Sequence, residues 1–150
     1  MIKTIFNELR VNHLFLVTIS AWTFAQLIKV FLGVLRTKRF DFRWLIGTGG
    51  MPSAHASGAS ALAITAGFDY GFNSGIFALG VVFAIVTMFD AQGVRRSTGS
   101  QAKILNKVME DIYWKGKIQE QRLRELIGHT PVEVIIGSII GILIAIIFHI

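Results

Sequence analysis

The sequence predicts an all-α integral membrane protein with about four transmembrane helices and a basic amphipathic helix on the membrane surface. Three observations carry that prediction. Of the 150 residues, 53% are hydrophobic and 16% charged, and the mean hydropathy is +0.59, a balance too apolar for an ordinary soluble domain. Apolar runs recur along the chain, and crossing the ~30 Å hydrocarbon core takes roughly 20 residues. Cations collect in the stretches between particular runs, as they do at one face of a membrane. Nothing in the composition divides the chain, so residues 1–150 read as a single domain.

Residues 14–35 are apolar except for Thr18, Ser20, Thr23, Gln26 and Lys29 and form the first expected span. Residues 1–10 lead into it without a small-residue cleavage site at a suitable distance, so no removed signal peptide is expected. The second run, 56–68, is rich in Ala, Gly and Ser. It makes only about 20 Å of helix at 1.5 Å per residue, so one end should stop inside the hydrocarbon unless protein or a wet cavity covers it. Turn residues fill 69–75, and 76–89 returns as the third span to close a helical hairpin. In the polar stretch that follows, Ile104, Leu105, Val108, Met109, Ile112 and Tyr113 fall at three- and four-residue spacing, which places the cytoplasmic amphipathic segment over 97–127. Residues 132–150 form the fourth span. Its Gly137 and Gly141 are spaced for close helix packing and offer a face for a homo-oligomer.

Four spans put the two long loops on one side and both termini with the short hairpin turn on the other. The first side holds Arg36, Lys38, Arg39, Arg43, Arg95, Arg96, Lys103, Lys107, Lys115, Lys117, Arg122 and Arg124; the second holds Lys3 and Arg10. The positive-inside rule therefore makes the long loops cytoplasmic, in a multi-pass protein of the cell membrane. The net charge of +6 lacks the interleaved aromatic and basic residues of a nucleic-acid binder, so the expected partners are membrane lipids and an anionic lipid phosphate, with no nucleic acid. There is no cysteine, which excludes disulfides and thiolate metal sites and leaves chemistry to His, Asp, Glu, Ser, Lys and Arg.

The candidate site lies at the cytoplasmic ends of the spans. Gly49-Gly50-Met51-Pro52-Ser53-Ala54-His55 turns through glycines into the second span, whose N-terminal N–H groups attract an anion; as a bare helix start, the same residues are a Ser53 cap with a packed His55. Gly128-His129-Thr130-Pro131-Val132-Glu133 opens the fourth span. Thr130, Pro131 and Glu133 fit a capping box, while Glu133, four residues from His129, can instead orient its imidazole if the helix starts at or before it. Arg36, Arg95 and Arg96 follow the C-termini of spans, where cations are ordinary. Lys29 inside the first span is not ordinary, since an intramembrane lysine costs roughly 2.5 kcal/mol or more on insertion scales unless it snorkels or meets an anion. Asp90 at the boundary of the third span is either a functional group or an ion-pair partner of the arginines. Two histidines, two helix starts and several cations describe phosphoryl transfer, with one histidine attacking phosphorus and the other protonating the leaving oxygen. No metal or other cofactor is expected: a site built from His55, His129, Glu133 and Asp90 has no His-Glu-x-x-His pattern, and the cations around it oppose a divalent ion.

The order Lys29, six residues, Arg36; Pro52-Ser53-Ala54-His55; His129, three residues, Glu133 resembles the three motifs of the type 2 phosphatidic acid phosphatase superfamily, which includes vanadium haloperoxidases. With Asp90-Ala91-Gln92-Gly93-Val94-Arg95-Arg96 added, the chain looks like that superfamily's divergent, haloperoxidase-related membrane branch. The resemblance implies a histidine nucleophile at His129, oriented by Glu133, a general acid at His55, and phosphate binding by Lys29, Arg36 and Ser53. This chain departs from the superfamily at Thr37 for proline, Ala54 for glycine and Glu133 for aspartate. Leu123 stands where the superfamily has a phosphate-binding arginine, and Arg95 or Arg96 is expected to replace it in preference to Arg122 or Arg124. The expectation is a metal-independent lipid phosphate or pyrophosphate phosphatase, with phosphatidylglycerol phosphate, phosphatidic acid or an isoprenoid phosphate each fitting. Two alternatives are a non-catalytic protein that binds or flips an anionic lipid in the same pocket and a structural helix packer built on Gly137 and Gly141.

Overall fold

The computed structural model describes residues 2–40, 42, 50–113 and 129–150, the side chains of 2–6, 94–98 and 110–113 excepted. These residues form six helices and no strand: α1 (Ile2–Val11), α2 (His13–Thr37), α3 (Ala54–Tyr70), α4 (Gly75–Gln92), α5 (Val94–Tyr113) and α6 (Pro131–His149). Four of them begin at a polar side chain that takes up an N–H group the helix leaves unbonded. Asn12 accepts from the Phe15 N–H at 2.9 Å, Ser53 from Ala56 at 3.3 Å, Ser74 from Phe77 at 3.1 Å and Thr130 from Glu133 at 3.4 Å. Lys38 ends α2 in the left-handed conformation (φ 53°), and its N–H returns to the Val34 carbonyl at 2.8 Å.

The four segments expected to span are helical, with shifted ends. Helix α3 is longer than its apolar run, because Ala54, His55, Asp69 and Tyr70 join it and the hairpin turn shrinks to the residues between Tyr70 and Gly75. Helix α4 continues past Phe89 to include Asp90, and α1 is a helix that hydropathy did not mark. The amphipathic segment is helical from Val94 to Tyr113; the rest of it, 114–127, lies outside the described residues.

Helices α2, α4 and α6 are long and apolar enough to cross a membrane. Helix α3, about 25 Å long, falls short of the hydrocarbon thickness. It is tolerated because protein covers it: eleven of its seventeen residues are buried, against three of eighteen in α4. Helices α2, α4 and α6 all pack on it. They turn Phe24, Leu27 and Phe31, Leu79, Val82, Phe83 and Val86, and Ile135, Ile139, Leu143 and Ile147 outward, as helices solvated by lipid do.

The packing fixes directions. Ala59 and Ala63 of α3 meet Ala84 of α4, and Gly80 lies against Ala63, so the hairpin is antiparallel. Helix α2 is also antiparallel to α3, with His13 beside Asp69, Ala21 beside Ser57 and Lys29 beside Gly50. Helices α3 and α6 run parallel in a four-residue register. Gly137 faces the Ser53 carbonyl, Gly141 faces the Ser57 carbonyl, and Ala61 and Ala145 share a core with Val17 and Ala21. This fulfils the expectation of close packing at the two glycines. It also corrects the oligomer face: both glycines are buried against α3 of the same chain and present no open surface to a second copy.

Ser57, fully buried, donates from Oγ to the Ala21 carbonyl at 3.0 Å and ties α3 to α2. Ser57→Ala is expected to lower stability by about 0.6–2 kcal/mol, measured by denaturant titration in detergent micelles. The loss stays small because a carbonyl inside a helix keeps its helical hydrogen bond.

At the far end of the bundle, His13 Nδ1 pairs with Asp69 at 3.0 Å and His149 stacks on Phe68 with centroids 4.2 Å apart. These contacts clamp helix ends at a distance from the other two histidines.

Candidate active site

Because α2 and α4 run against α3 and α6, the C-termini of the first pair and the N-termini of the second meet at one end of the bundle. Backbone bonds lock that junction. The Ser53 N–H donates to the Glu133 carbonyl at 3.0 Å, joining the starts of α3 and α6, and the His129 N–H donates to the Ala91 carbonyl at 3.0 Å, holding the entry to α6 on the end of α4. These ties bring residues of three separate motifs together.

His129 is 1% exposed and precedes the helix, since Thr130 is the cap and Pro131 the first helical residue. The reason for its contact with Glu133 is therefore not the expected spacing along a helix. Glu133 folds its carboxylate back over the cap, and one oxygen, Oε2, receives both the Thr130 N–H at 3.0 Å and His129 Nδ1 at 3.1 Å. The two roles that competed for Glu133 on the sequence are satisfied together. An imidazole that donates from Nδ1 to a carboxylate carries its lone pair on Nε2, and the adjacent negative charge favours the imidazolium when it forms.

His55 lies in the first turn of α3, half-buried, with its ring centroid 6.2 Å from that of His129 and the planes inclined at 62°. At that spacing the rings are close enough for nitrogens of both to reach one tetrahedral anion. Lys29 is 8% exposed within α2, donates from Nζ to Gln26 Oε1 at 3.0 Å, and stands within electrostatic reach of Glu133. Its aliphatic stem passes Gly50, where an added Cβ would lie 3.7 Å from Lys29 Cγ and Cδ. Gly50 has φ 81°, a conformation that favours glycine, so the chain turns there beside the lysine before α3 begins.

Ser53 is fully buried. Its Oγ accepts from Ala56 as a cap, which leaves its hydroxyl proton available as a donor in chemical terms. Its own N–H and that of Ala56 are both used within the protein, so side chains must supply more of any anion contact than the helix start suggests.

Arg36 stands two turns beyond Lys29 on α2, at an exposed position. Asp90 is half-buried in the last turn of α4, next to the Ala91 carbonyl that receives His129. Arg95 and Arg96 are in the first turn of α5, which starts one residue after α4 ends, and their side chains lie outside the described residues. Leu123, Arg122 and Arg124 are outside them entirely. Among the described residues no three His, Asp or Glu side chains are grouped to hold a metal ion.

Gln26 is the residue that the sequence reading passed over. It is 6% exposed, one turn before Lys29, and its amide oxygen takes the buried ammonium without neutralising it. The available signal was spacing: a glutamine three residues from a lysine inside an apolar run shares its helix face.

A family model described as "Divergent PAP2 family" matches residues 10–144, a stretch that holds Lys29, His55, His129 and Glu133. The "Uncharacterized membrane protein YuiD" of Bacillus subtilis (strain 168) is 37% identical over 151 residues, which cover 93% of this chain and 96% of that protein. No solved structure matches.

Proposed function

The chain belongs to the divergent PAP2 family, and from that premise we propose that it is a metal-independent phosphatase acting on the phosphate or pyrophosphate of a membrane lipid. The observation that carries this reading is the pair of histidines 6.2 Å apart between ring centroids, one of them held by a carboxylate, beside a buried lysine.

In this mechanism the Nε2 lone pair of His129 attacks phosphorus, and the bond from phosphorus to the lipid oxygen breaks. His55, entering as imidazolium, gives its proton to that oxygen, and the lipid alcohol (or the shortened phosphate) leaves. Water then attacks phosphorus from the side opposite His129. The now neutral His55 takes a proton from the water, the P–N bond breaks, and inorganic phosphate is released with both histidines restored. Glu133 stabilises the charge on His129 while the phosphohistidine exists. Lys29 and Ser53, with Arg36 and one of Arg95 and Arg96, offset the negative charge on the phosphoryl oxygens. Asp90 supports the arginines. A lipid substrate accounts for the location, because the bundle end lies where the spans leave the hydrocarbon and the outer faces of α2, α4 and α6 are apolar. The excess of cations in the loops at this end supports a cytoplasmic placement.

Purified protein in mixed micelles is expected to release inorganic phosphate from phosphatidic acid, phosphatidylglycerol phosphate or an isoprenoid phosphate with EDTA present, and vanadate is expected to block release. Stable binding of these lipids with no turnover of any of them would overturn the catalytic reading and leave an anionic-lipid binder.

A further inference from the structure

Helix α5 exposes the face that a water-soluble protein would bury. Ala102 and Asn106, one turn apart, are 9% and 8% exposed, whereas Ile104, Leu105 and Val108 are 64%, 51% and 44% exposed. At 100° per residue these three apolar side chains form one stripe, and the exposed Lys103 and Lys107 form a row along one edge of it. An apolar stripe turned away from the protein requires an apolar medium on that side. The position of the helix supplies one: α5 starts one residue after α4, whose last turn still presents Phe89 at 76% exposure to lipid, so α5 leaves the bundle at the hydrocarbon boundary. Lysines along the edge of such a stripe can keep their stems on the acyl region and their ammonium groups among headgroups.

We propose that α5 is an interfacial helix that docks its Ile104–Leu105–Val108 stripe into the bilayer and binds anionic phospholipid headgroups through Lys103 and Lys107. The occupant of this face is the surface of the membrane in which the chain itself sits. The headgroup charge complements the lysine row, and only Gly93 separates α5 from α4, whose last turn exposes Phe89. The consequence for the bundle is local enrichment of anionic lipid beside its histidine-bearing end. The docking stands whether or not that end turns over a substrate.

The chain has no cysteine, so single-cysteine labelling requires no background removal. Ile104→Cys, Val108→Cys and, separately, Lys103→Cys proteins carrying an environment-sensitive fluorophore are reconstituted in phosphatidylcholine vesicles, with and without phosphatidylglycerol. Labels at 104 and 108 are expected to emit to the blue and to be quenched severalfold more by doxyl-lipid than by aqueous iodide, with the reverse order at 103. Phosphatidylglycerol is expected to strengthen the doxyl quenching, and Lys103→Glu with Lys107→Glu is expected to remove that dependence. Iodide quenching of 104 and 108 in both vesicles would overturn the proposal, as would label burial that rises with protein density in place of anionic lipid, which marks a second copy as the occupant. Unchanged phosphatase activity toward a soluble aryl phosphate in the double-lysine variant would separate this surface from the catalytic machinery.

Discussion

His129→Ala is expected to reduce phosphate release by about 10³-fold or more on every substrate, because in the proposed mechanism it removes the atom that bonds to phosphorus. His55→Ala is expected to cost roughly 10²–10⁴-fold on a lipid phosphate, in the range of a lost general acid, and much less in the leaving step of a nitrophenyl phosphate. The difference has a chemical cause. A lipid alkoxide is a strong base that leaves only when protonated, whereas nitrophenolate leaves without help. In that mechanism the second half-reaction needs His55 again, now to take a proton from water. The His55→Ala enzyme should therefore release a burst of nitrophenol and accumulate labelled protein, with the label stable in alkali and lost in acid as expected of a phosphohistidine. Full activity of His129→Ala, in protein shown to be folded by its melting curve, would eliminate the mechanism. Equal losses in His55→Ala on the lipid and the aryl ester, with no trapped label, would remove the acid–base role while leaving His129 in place. His129→Gln serves as the check on folding, since its side chain can still donate to Glu133 from a buried position.

The membrane architecture and the clustering of the site were legible because hydropathy and span parity require no knowledge of side-chain contacts. Once four helices alternate, His55, His129, Lys29 and the end of α4 must share a face, and the bundle places them there. Helix ends were less legible. Hydropathy stops at Ala56 and Phe68, but Ser53 caps α3 earlier and the helix runs on through Asp69 and Tyr70, whose polarity says nothing against helical backbone. Helix α1 was missed for a related reason: amphipathic and short, it contributes no apolar run. The parallel direction of α3 and α6 follows from span parity, but their pairing and register were not legible. Parallel pairing of helices far apart in sequence follows from which small residues oppose which carbonyls, a property of two surfaces together. Gln26 was legible only in part: its spacing from Lys29 puts the two on one helix face, and the placement of Lys29 inside the bundle makes its amide oxygen the partner.

That small-residue register carries the second large expected effect. A Cβ at Gly141 would overlap the Ser57 carbonyl oxygen and approach its carbonyl carbon and Cα at 2.8 and 3.0 Å, all of them backbone atoms inside α3. A flexible side chain could swing aside; a helix backbone cannot, so the whole contact between α3 and α6 must open. Overpacking in an interior costs about 1–3 kcal/mol when side chains can adjust, and Gly141→Leu is expected to exceed that range, against a total stability of about 5–15 kcal/mol. The expected readout is a collapse of the melting transition in detergent or a failure to accumulate folded protein. Gly141→Ala is the graded case: a smaller separation that lowers the melting temperature and also lowers activity, because the same opening strains the Ser53 N–H bond to the Glu133 carbonyl and moves His55 relative to His129. Gly75→Ala supplies the contrast, since nothing lies within 4 Å of a Cβ at that position and the change is expected to leave stability equal or raised by up to about 1 kcal/mol. A Gly141→Leu protein that melts like the parent would mean that α3 and α6 do not meet in this register. The two histidines would then need another way of being held together, because it is the contact between these parallel helices, one carrying His55 in its first turn and the other following directly on His129, that brings their side chains to a single place.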